Sequence, residues 1–250
     1  MSSTRAIVAF GSGPGIGNHV SAEFVSKGFS HVILLARNEQ RLKNEDAAFV
    51  SKASSNVRVD TLRLDLSDLS SIPGILKKID ELTKGEELEV VFFNAARIKP
   101  SGVLEVAVEE IEEDFKVGAP YTLGLSHDTT AKITQTTNLS LYIIAQWAIP
   151  RLQQLKKSNP SSKPSLLVTN SFLPQTPVPQ LLSLSLVKAS QRNMVHSFNL
   201  AYAESGVHAG LITVGGVVAP ENKNLNPKNI AEKTYAFYEA ADGLEVDISE

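Results

Sequence analysis

Short runs of consecutive apolar residues alternate along this chain with longer stretches in which apolar and polar residues recur at helical spacing. Runs such as RAIVAF and HVILLA are rich in Val, Ile and Leu and end at turn or charged residues. Such runs are typical of parallel strands that are buried on both faces of a sheet. Six of them predict strands at 5–10, 31–36, 57–64, 88–93, 165–170 and 208–214.

The longer stretches predict helices, because their apolar residues fall on one helical face. They lie at 16–28, 38–53, 68–83, 103–116, 133–157, 181–205 and 228–240. Regular alternation of strands and helices predicts an α/β fold, a Rossmann-type doubly wound parallel sheet. Since no linker-like composition or internal repeat divides the chain, we expect a single domain over residues 1–250.

Composition excludes several classes of function. The 250 residues include no cysteine, which excludes disulfides, thiolate zinc sites and cysteine nucleophiles. The five histidines show no spacing typical of metal ligands. The formal net charge is -3 and no basic stripe is present, so we expect no nucleic-acid partner. The chain shows neither a signal-peptide pattern nor a membrane-spanning apolar stretch, which predicts a cytoplasmic protein without a membrane partner.

A glycine-rich turn follows the first predicted strand and opens the first predicted helix. Its sequence is GSGPGIG, from Gly11 to Gly17. Glycines allow the chain to turn tightly and a pyrophosphate to approach the backbone, and the N–H groups at the helix start face that anion. In this context the motif predicts nucleotide binding, and the alternative is a tight turn without a ligand.

At this point the chain resembles the short-chain dehydrogenase/reductase family. The glycine spacing is similar to that family's T-G-x-x-x-G-x-G pattern, although Phe10 replaces the threonine. The segments LDLSD, FNAA, TNLSLYIIAQWAIP, LLVTNSF and GLITVGGVVAP resemble later family motifs, in the same order and at similar spacing. The resemblance implies that one set of residues contacts the cofactor: Gly11, Gly15, Ile16, Gly17, Asp65, Asn94, Lys188 and Val218.

The residues after the second predicted strand bear on the choice of cofactor. A dehydrogenase that prefers NAD usually ends this strand with an acid that holds the ribose 2′-hydroxyl. Here Ala36 occupies that place and Arg37 follows. An acid would repel a 2′-phosphate, whereas an arginine can clamp one, so Arg37 predicts NADP(H). The alternative is a solvated arginine at the start of the next helix.

The resemblance also implies three catalytic residues, Asn138, Ser171 and Lys188. In the family, a tyrosine protonates the carbonyl oxygen as hydride reaches carbon, and a lysine four residues later lowers the pKa of that tyrosine. Counting thirteen residues on from Ser171 or four back from Lys188 leads to position 184, which is Leu184. Leucine has no donor and no titratable group, so the sequence predicts that the catalytic tyrosine is absent.

Three interpretations of this replacement stay open. A positioned general acid contributes roughly 10²–10⁴ in rate, but hydride transfer itself resides in the cofactor. The first interpretation is an atypical NADP(H)-dependent oxidoreductase of a small organic carbonyl, enone or imine, with the proton supplied by Ser171, Ser183, Ser185 or a water on Lys188. The second is a non-redox isomerase or cyclase that uses the same pocket. The third is an NADP(H)-binding protein without redox turnover.

Residues 117–132, VGAPYTLGLSHDTTAK, interrupt the alternation because they have no helical period. The interval from Asn94 to Asn138 is 44 residues, and removal of this segment leaves 28, close to what the resemblance implies. We interpret the segment as an atypical insertion: a surface loop, a lid on the substrate side, or 48 nucleotides of translated intron. Its deletion is expected to leave a folded protein that binds cofactor no worse.

Helices equivalent to 133–157 and 181–205 commonly form a dimer in the family that the chain resembles. The apolar residues Leu141, Ile144 and Trp147 are expected to lie on that face. The resemblance therefore implies a homodimer or homotetramer that acts on a small-molecule substrate.

Overall fold

Seven parallel strands form one sheet in a computed structural model that describes residues 4–96, 100–107, 111 and 137–250. The sheet order is β3-β2-β1-β4-β5-β6-β7. The strands are β1 Arg5–Phe10, β2 His31–Ala36, β3 Arg58–Arg63, β4 Glu87–Phe93, β5 Ser165–Ser171, β6 His208–Val214 and β7 Glu245–Ile248. The strand order reverses between β1 and β4, where ligands of such sheets bind at the carboxyl ends of the strands. The predicted Rossmann-type α/β fold is confirmed.

All six predicted strands are present, with bounds that differ by at most one residue. The central strands β1, β2 and β4 are buried along almost their whole length, as their continuous apolar runs required. The seventh strand, β7, was not predicted. Its sequence, EVDI, is short and half acidic, so it carries no apolar run. Pairing with β6 from Leu211 to Val214 makes it a strand.

Seven α-helices cover the faces of the sheet in the described part of the chain. They are α1 Ile16–Ser26, α2 Glu39–Arg41, α3 Ala47–Ser51, α4 Ile72–Leu82, α5 Thr137–Ser158, α6 Leu182–Tyr202 and α7 Pro227–Ala240. A π-helical turn, Leu42–Asp46, joins α2 to α3, so the single helix predicted at 38–53 is in fact three short pieces.

The helix predicted at 103–116 does not begin where expected, because residues 103–106 form turns. Residue 111 is helical, and the rest of that prediction lies outside the described residues. The predicted insertion at 117–132 and residues 133–136 of the next predicted helix lie outside them as well.

The apolar residues expected on a dimer face lie instead inside the chain. Leu141 and Ile144 are fully buried in the core between the sheet and the helices α4, α5 and α6. Trp147 is 8% exposed, and its Nε1 donates to Asp80 Oδ1 on α4 at 3.0 Å. Arg151 clamps the same carboxylate with two further bonds. The prediction that these three residues form an interface is wrong, because all three side chains are buried within the chain.

None of the helices among the described residues has the length and apolar character needed to cross a membrane. The same part of the chain holds no group of three or more acidic or histidine side chains arranged for a metal ion.

Candidate active site

The glycine-rich turn between β1 and α1 is packed against the backbone that follows β4. Gly11 has φ +92°, and a Cβ there would lie 2.8 Å from the carbonyl carbon and oxygen of Asn94. A Cβ on Gly17 would lie 2.8 Å from the oxygen of Gly11. The N–H groups of Gly11 and Ser12 both donate to Leu35 O at 2.9 Å. These contacts leave room for hydrogen atoms alone at the two glycines.

The start of α1 fits the pyrophosphate of a dinucleotide. No side chain caps the helix at Gly15, and its first turn holds no acidic residue. Asn18 N donates to Gly13 O at 3.0 Å, which leaves the N–H groups of Ile16 and Gly17 for an anion. A Cβ on Gly15 would meet nothing within 4 Å. An anion can therefore approach the N–H groups of the first turn, which begins with Ile16.

Arg41 holds the glycine-rich turn through a hydrogen bond to its backbone. Its Nη2 donates to Ser12 O at 2.9 Å, and its Nε donates to Asp46 Oδ2 at 3.0 Å. The other oxygen of Asp46 accepts from Asn18 Nδ2 at 2.7 Å. This network links α1 to the π-helical turn. Sequence analysis missed it, because a regular helix would place Asp46 on a different face from Arg41.

Two arginines meet at the carboxyl ends of β2 and β3. Arg37 is exposed directly after β2, and its carbonyl oxygen accepts from Arg63 Nε at 3.3 Å. Arg63 ends β3 in register with Ala36. Asp65 follows two residues later, with Oδ1 accepting from the N–H and hydroxyl of Ser67 at 3.0 and 2.7 Å. Sequence analysis missed Arg63, whose place beside Arg37 depends on strand pairing.

Two other predicted cofactor residues, Asn94 and Val218, lie after the carboxyl ends of β4 and β6. Asn94 donates from Nδ2 to Gly11 O at 3.2 Å, so its side chain holds the glycine-rich turn. Val218 is partly buried after β6 and packs against the core cluster that includes α1 and α7.

Lys188 lies at the junction of α5, β5 and α6. Its Nζ donates to Thr169 O on β5 and to Gln191 Oε1 on α6, both at 2.9 Å. Asn138 on α5 donates from Nδ2 to Val187 O at 3.2 Å. Two of the three predicted catalytic residues, Asn138 and Lys188, are thus close together, since Asn138 bonds to the residue before the lysine.

Asn170 links the third predicted catalytic residue, Ser171, to the same neighbourhood. Its Oδ1 accepts from Ser171 N at 2.8 Å, and its Nδ2 donates to Lys188 O at 3.1 Å. Ser171 Oγ accepts from Leu173 N at 3.3 Å, so its hydrogen stays available as a donor. Sequence analysis missed Asn170, although it immediately precedes the serine.

Burial controls the protonation of Lys188. The residue is 4% exposed, and desolvation of its ammonium lowers the pKa of Lys188 to about 8. Burial disfavours the charged form of an amine, and no charged side chain nearby in the described residues opposes it. A proton is therefore held at neutral pH by a group that releases it far more readily than an exposed lysine.

Leu184 lies one helical turn before Lys188 and is 9% exposed. Its neighbours are engaged with the backbone. Ser183 N donates to Ser101 Oγ at 3.0 Å, and Ser185 Oγ donates to Leu181 O at 2.9 Å. The Ser185 hydroxyl is thus committed to its own helix.

A family profile described as short chain dehydrogenase matches residues 5–230. The chain belongs to the short chain dehydrogenase family. This confirms the resemblance seen in its motifs, and the match runs from β1 into α7. No curated protein matches this short chain dehydrogenase in sequence.

Solved structures share its fold at low sequence identity. An alcohol dehydrogenase from the archaeon Thermococcus sibiricus, complexed with 5-hydroxy-NADP, has a TM-score of 0.74 at 21% identity, covering 97% of this chain and 95% of that one. An NADPH-bound short chain oxidoreductase from Pseudomonas aeruginosa PAO1, containing an atypical catalytic center, has a TM-score of 0.75 at 18% identity, covering 98% and 95%. An NADH-dependent reductase complexed with NAD has a TM-score of 0.76 at 15% identity, covering 99% and 96%.

Proposed function

We propose that this short chain dehydrogenase is an atypical NADP(H)-dependent oxidoreductase that acts on a small organic carbonyl, enone or imine. The observation that carries the proposal is Lys188, a buried ammonium held at the carboxyl end of β5 beside the Ser171 strand end. A buried lysine with a pKa of about 8 is uncommon as a packing residue and typical of a functional site.

NADP(H) is favoured over NAD(H) by the charges at the carboxyl ends of β2 and β3. Arg37 and Arg63 lie side by side there, and Ala36 leaves no carboxylate to hold a ribose 2′-hydroxyl. The three solved structures described above carry an NADP analogue, NADPH and NAD, so the preference for NADP(H) rests on the arginine pair.

NADPH, when bound, supplies a hydride to the substrate carbon. The Ser171 hydroxyl donates a hydrogen bond to the substrate oxygen and orients it. The Lys188 ammonium then gives a proton to that oxygen, directly or through a water, and is reprotonated from solvent. The proton that the family takes from tyrosine comes here from lysine, whose lowered pKa suits the role at neutral pH.

The absence of a phenol at Leu184 favours substrates that depend little on a strong general acid. An iminium is protonated before hydride arrives, and an enone can be protonated at a carbon away from the reduced one. A simple ketone depends on an acid at the reacting oxygen, so its reduction rests on the proton from Lys188. Enones and imines therefore stand beside small carbonyls in the proposed substrate class.

An NADP(H)-binding protein without turnover is the second candidate, because the protein itself takes up two of the three N–H donors of Lys188. A non-redox isomerase or cyclase in the same pocket is the third. The purified protein mixed with NADPH and a panel of ketones, enones and imines separates them by absorbance of the reduced cofactor. Binding by calorimetry without oxidation on any substrate would contradict the oxidoreductase proposal.

Leu184→Tyr tests the place of the missing acid. The new phenol would lie one helical turn from the Lys188 ammonium, which should lower the pKa of the tyrosine. Ketone reduction is expected to rise about 10²-fold, while turnover of the native substrate falls because the ring occupies its space. Leu184→Phe, which adds the ring without the hydroxyl, is the matched control. Equal ketone activity in both variants and the wild type would show that position 184 is not at the reacting centre.

We also propose that the protein acts in the cytoplasm as a homodimer or homotetramer. With Leu141, Ile144 and Trp147 buried, the large apolar residues exposed on α5 and α6 are Tyr142, Leu186 and Leu200. Light scattering after size-exclusion chromatography tests the proposal, and a Leu200→Glu variant that stays assembled would exclude this face.

A further inference from the structure

Gln191 is a buried amide that no family motif in the sequence points to. It is fully buried on α6, and its Oε1 accepts from Lys188 Nζ at 2.9 Å. An ammonium can only donate, so the amide oxygen must face Lys188 and the amide nitrogen must face elsewhere. That nitrogen, Nε2, has no hydrogen-bond partner among the residues that the structure describes.

The unpaired nitrogen makes Gln191 a poor packing residue. Burial of an amide donor without an acceptor costs free energy, and a leucine or methionine of similar size would avoid that cost. The compensation is at the other end of the side chain, where the oxygen accepts a charge-assisted hydrogen bond. The hydrogen bond to Lys188 is therefore what explains a glutamine at this buried position.

We propose that Gln191 is the positioning residue for Lys188. Its side-chain oxygen holds the ammonium at the carboxyl end of β5, together with Thr169 O, and favours the protonated form. Leu184, one turn earlier on the same helix, offers no hydrogen bond to this lysine. The inference rests on the proposed function, in which Lys188 serves cofactor and substrate, and it names what keeps that lysine charged and in place.

The surroundings of Lys188 make the role of Gln191 measurable. The groups around it are the neutral side chains of Asn138 on α5, Asn170 on β5 and Gln191 on α6, with the Thr169 carbonyl on β5. Burial is the cause of the lowered pKa of Lys188, with no charged partner contributing in the described part of the chain. Gln191→Leu therefore acts on this lysine with no competing titration among the described groups beside it.

The first test follows unfolding free energy against pH in the cofactor-free protein. Lys188 titrates at about 8 when folded and at about 10.4 in an unfolded chain. Between these values the unfolded chain binds more protons, so stability rises with pH, and the rise begins at the folded pKa. The same rise should be absent in Lys188→Met.

Two substitutions at position 191 should move the start of that rise in opposite directions. Gln191→Leu removes the acceptor and should shift it by about one unit to lower pH. Gln191→Glu adds a carboxylate beside the ammonium and should shift it by about one unit or more to higher pH. Asn193→Leu, an exposed polar-to-leucine change on the same helix, should leave it in place. An unmoved start in both Gln191 variants would overturn the proposal.

A double-mutant cycle keeps the proposal falsifiable if Gln191→Leu folds poorly, with Gln191→Met as the closer replacement in shape. Either substitution should lower the urea midpoint at pH 7 in the wild type, since it leaves the ammonium with one protein acceptor. In the Lys188→Met background the same substitution should raise the midpoint or leave it unchanged, because the amide has lost its partner. The same decrease in both backgrounds would show a packing role only.

Assays of NADPH oxidation then distinguish a failure of the positioning role from a failure of the proposed function. If the start of the stability rise moves as expected but no substrate oxidises NADPH, the oxidoreductase proposal fails and the positioning role stands. If NADPH is oxidised while Gln191→Leu and Gln191→Glu keep the wild-type pH profile of turnover, the positioning role fails and the oxidoreductase proposal stands.

Discussion

The candidate active site has two ends, the glycine-rich turn and the surroundings of Lys188, and they are formed by different parts of the chain. At the glycine-rich turn, the contacts come from the backbone: N–H groups at the start of α1, and glycines that lie 2.8 Å from neighbouring carbonyl groups at Gly11 and Gly17. Around Lys188, the contacts come from buried side chains on three elements, Asn138, Asn170 and Gln191.

The difference bears on how each end responds to substitution. A backbone cradle depends on the absence of side chains, so an added side chain either clashes with the protein or occupies the space of the ligand. A buried side-chain network can replace one member with another, provided that its polar groups find partners. Under the proposed function, Leu184 at the position where the family pattern has a tyrosine would be a replacement of the second kind.

The largest effect is expected at the side-chain end. Lys188→Met should lower turnover by roughly 10²–10⁴ because it removes the proposed proton donor. In the wild type, turnover should fall as pH rises through about 8, since the ammonium is lost above the pKa of Lys188. Steady-state rates of NADPH oxidation from pH 6 to 10 measure both. Lys77→Met, an exposed change on α4, is the control. A wild-type rate that is flat across this range would exclude Lys188 as the acid.

Two arginines four residues apart in the sequence, Arg37 and Arg41, should respond differently. Arg37→Ala should weaken the binding of NADPH by about 1.5–3 kcal/mol and leave the binding of NADH almost unchanged, because of the two only NADPH carries a 2′-phosphate. Arg41→Ala should weaken the binding of both cofactors, since it removes the hydrogen bond to the Ser12 carbonyl that holds the glycine-rich turn. Calorimetric titrations with each cofactor give the comparison, with Arg58→Ala at the opposite end of β3 as the control. Equal losses of NADPH and NADH binding in Arg37→Ala would refute the 2′-phosphate clamp.

At the backbone end, two glycine substitutions should separate folding from binding. Gly17→Ala should destabilise the protein by about 1–3 kcal/mol, because its Cβ would lie 2.8 Å from Gly11 O. Gly15→Ala should leave stability almost unchanged, since nothing lies within 4 Å of its Cβ, yet weaken either cofactor by occupying the space of the pyrophosphate. Urea unfolding and calorimetry measure the two effects. Undiminished binding in Gly15→Ala would place the cofactor elsewhere.

A third glycine substitution, Gly74→Ala, is expected to change the stability by a smaller amount and in the opposite direction to Gly17→Ala. Gly74 lies within α4, with nothing within 4 Å of a Cβ built there. Gly74→Ala should stabilise the protein by about 0.5–1 kcal/mol, because alanine loses less backbone entropy than glycine in a helix. A loss of stability in the same urea assay would mean that open space in the structure does not predict tolerance.

Much of the sheet was predictable because strands buried on both faces require uninterrupted apolar residues. β1, β2 and β6 begin and end where their apolar runs do. β7 was missed because strand pairing at the sheet edge, rather than burial, makes it a strand. Trp147 was assigned to an interface because helical periodicity shows that a face is apolar without showing what covers it.

The sequence of residues along the chain sufficed for the family and the α/β fold, because motifs and their spacing are properties of neighbouring residues. It also predicted Gly11, Asn138, Ser171 and Lys188 as site residues, and these stay predictions. The folded chain alone revealed that Arg63 adjoins Arg37, that Arg41 supports the glycine-rich turn, and that Gln191 accepts from Lys188. The physical reason is that pairing register, a π-helical turn and desolvation arise from residues distant in sequence, and a side chain's charge and partners depend on them.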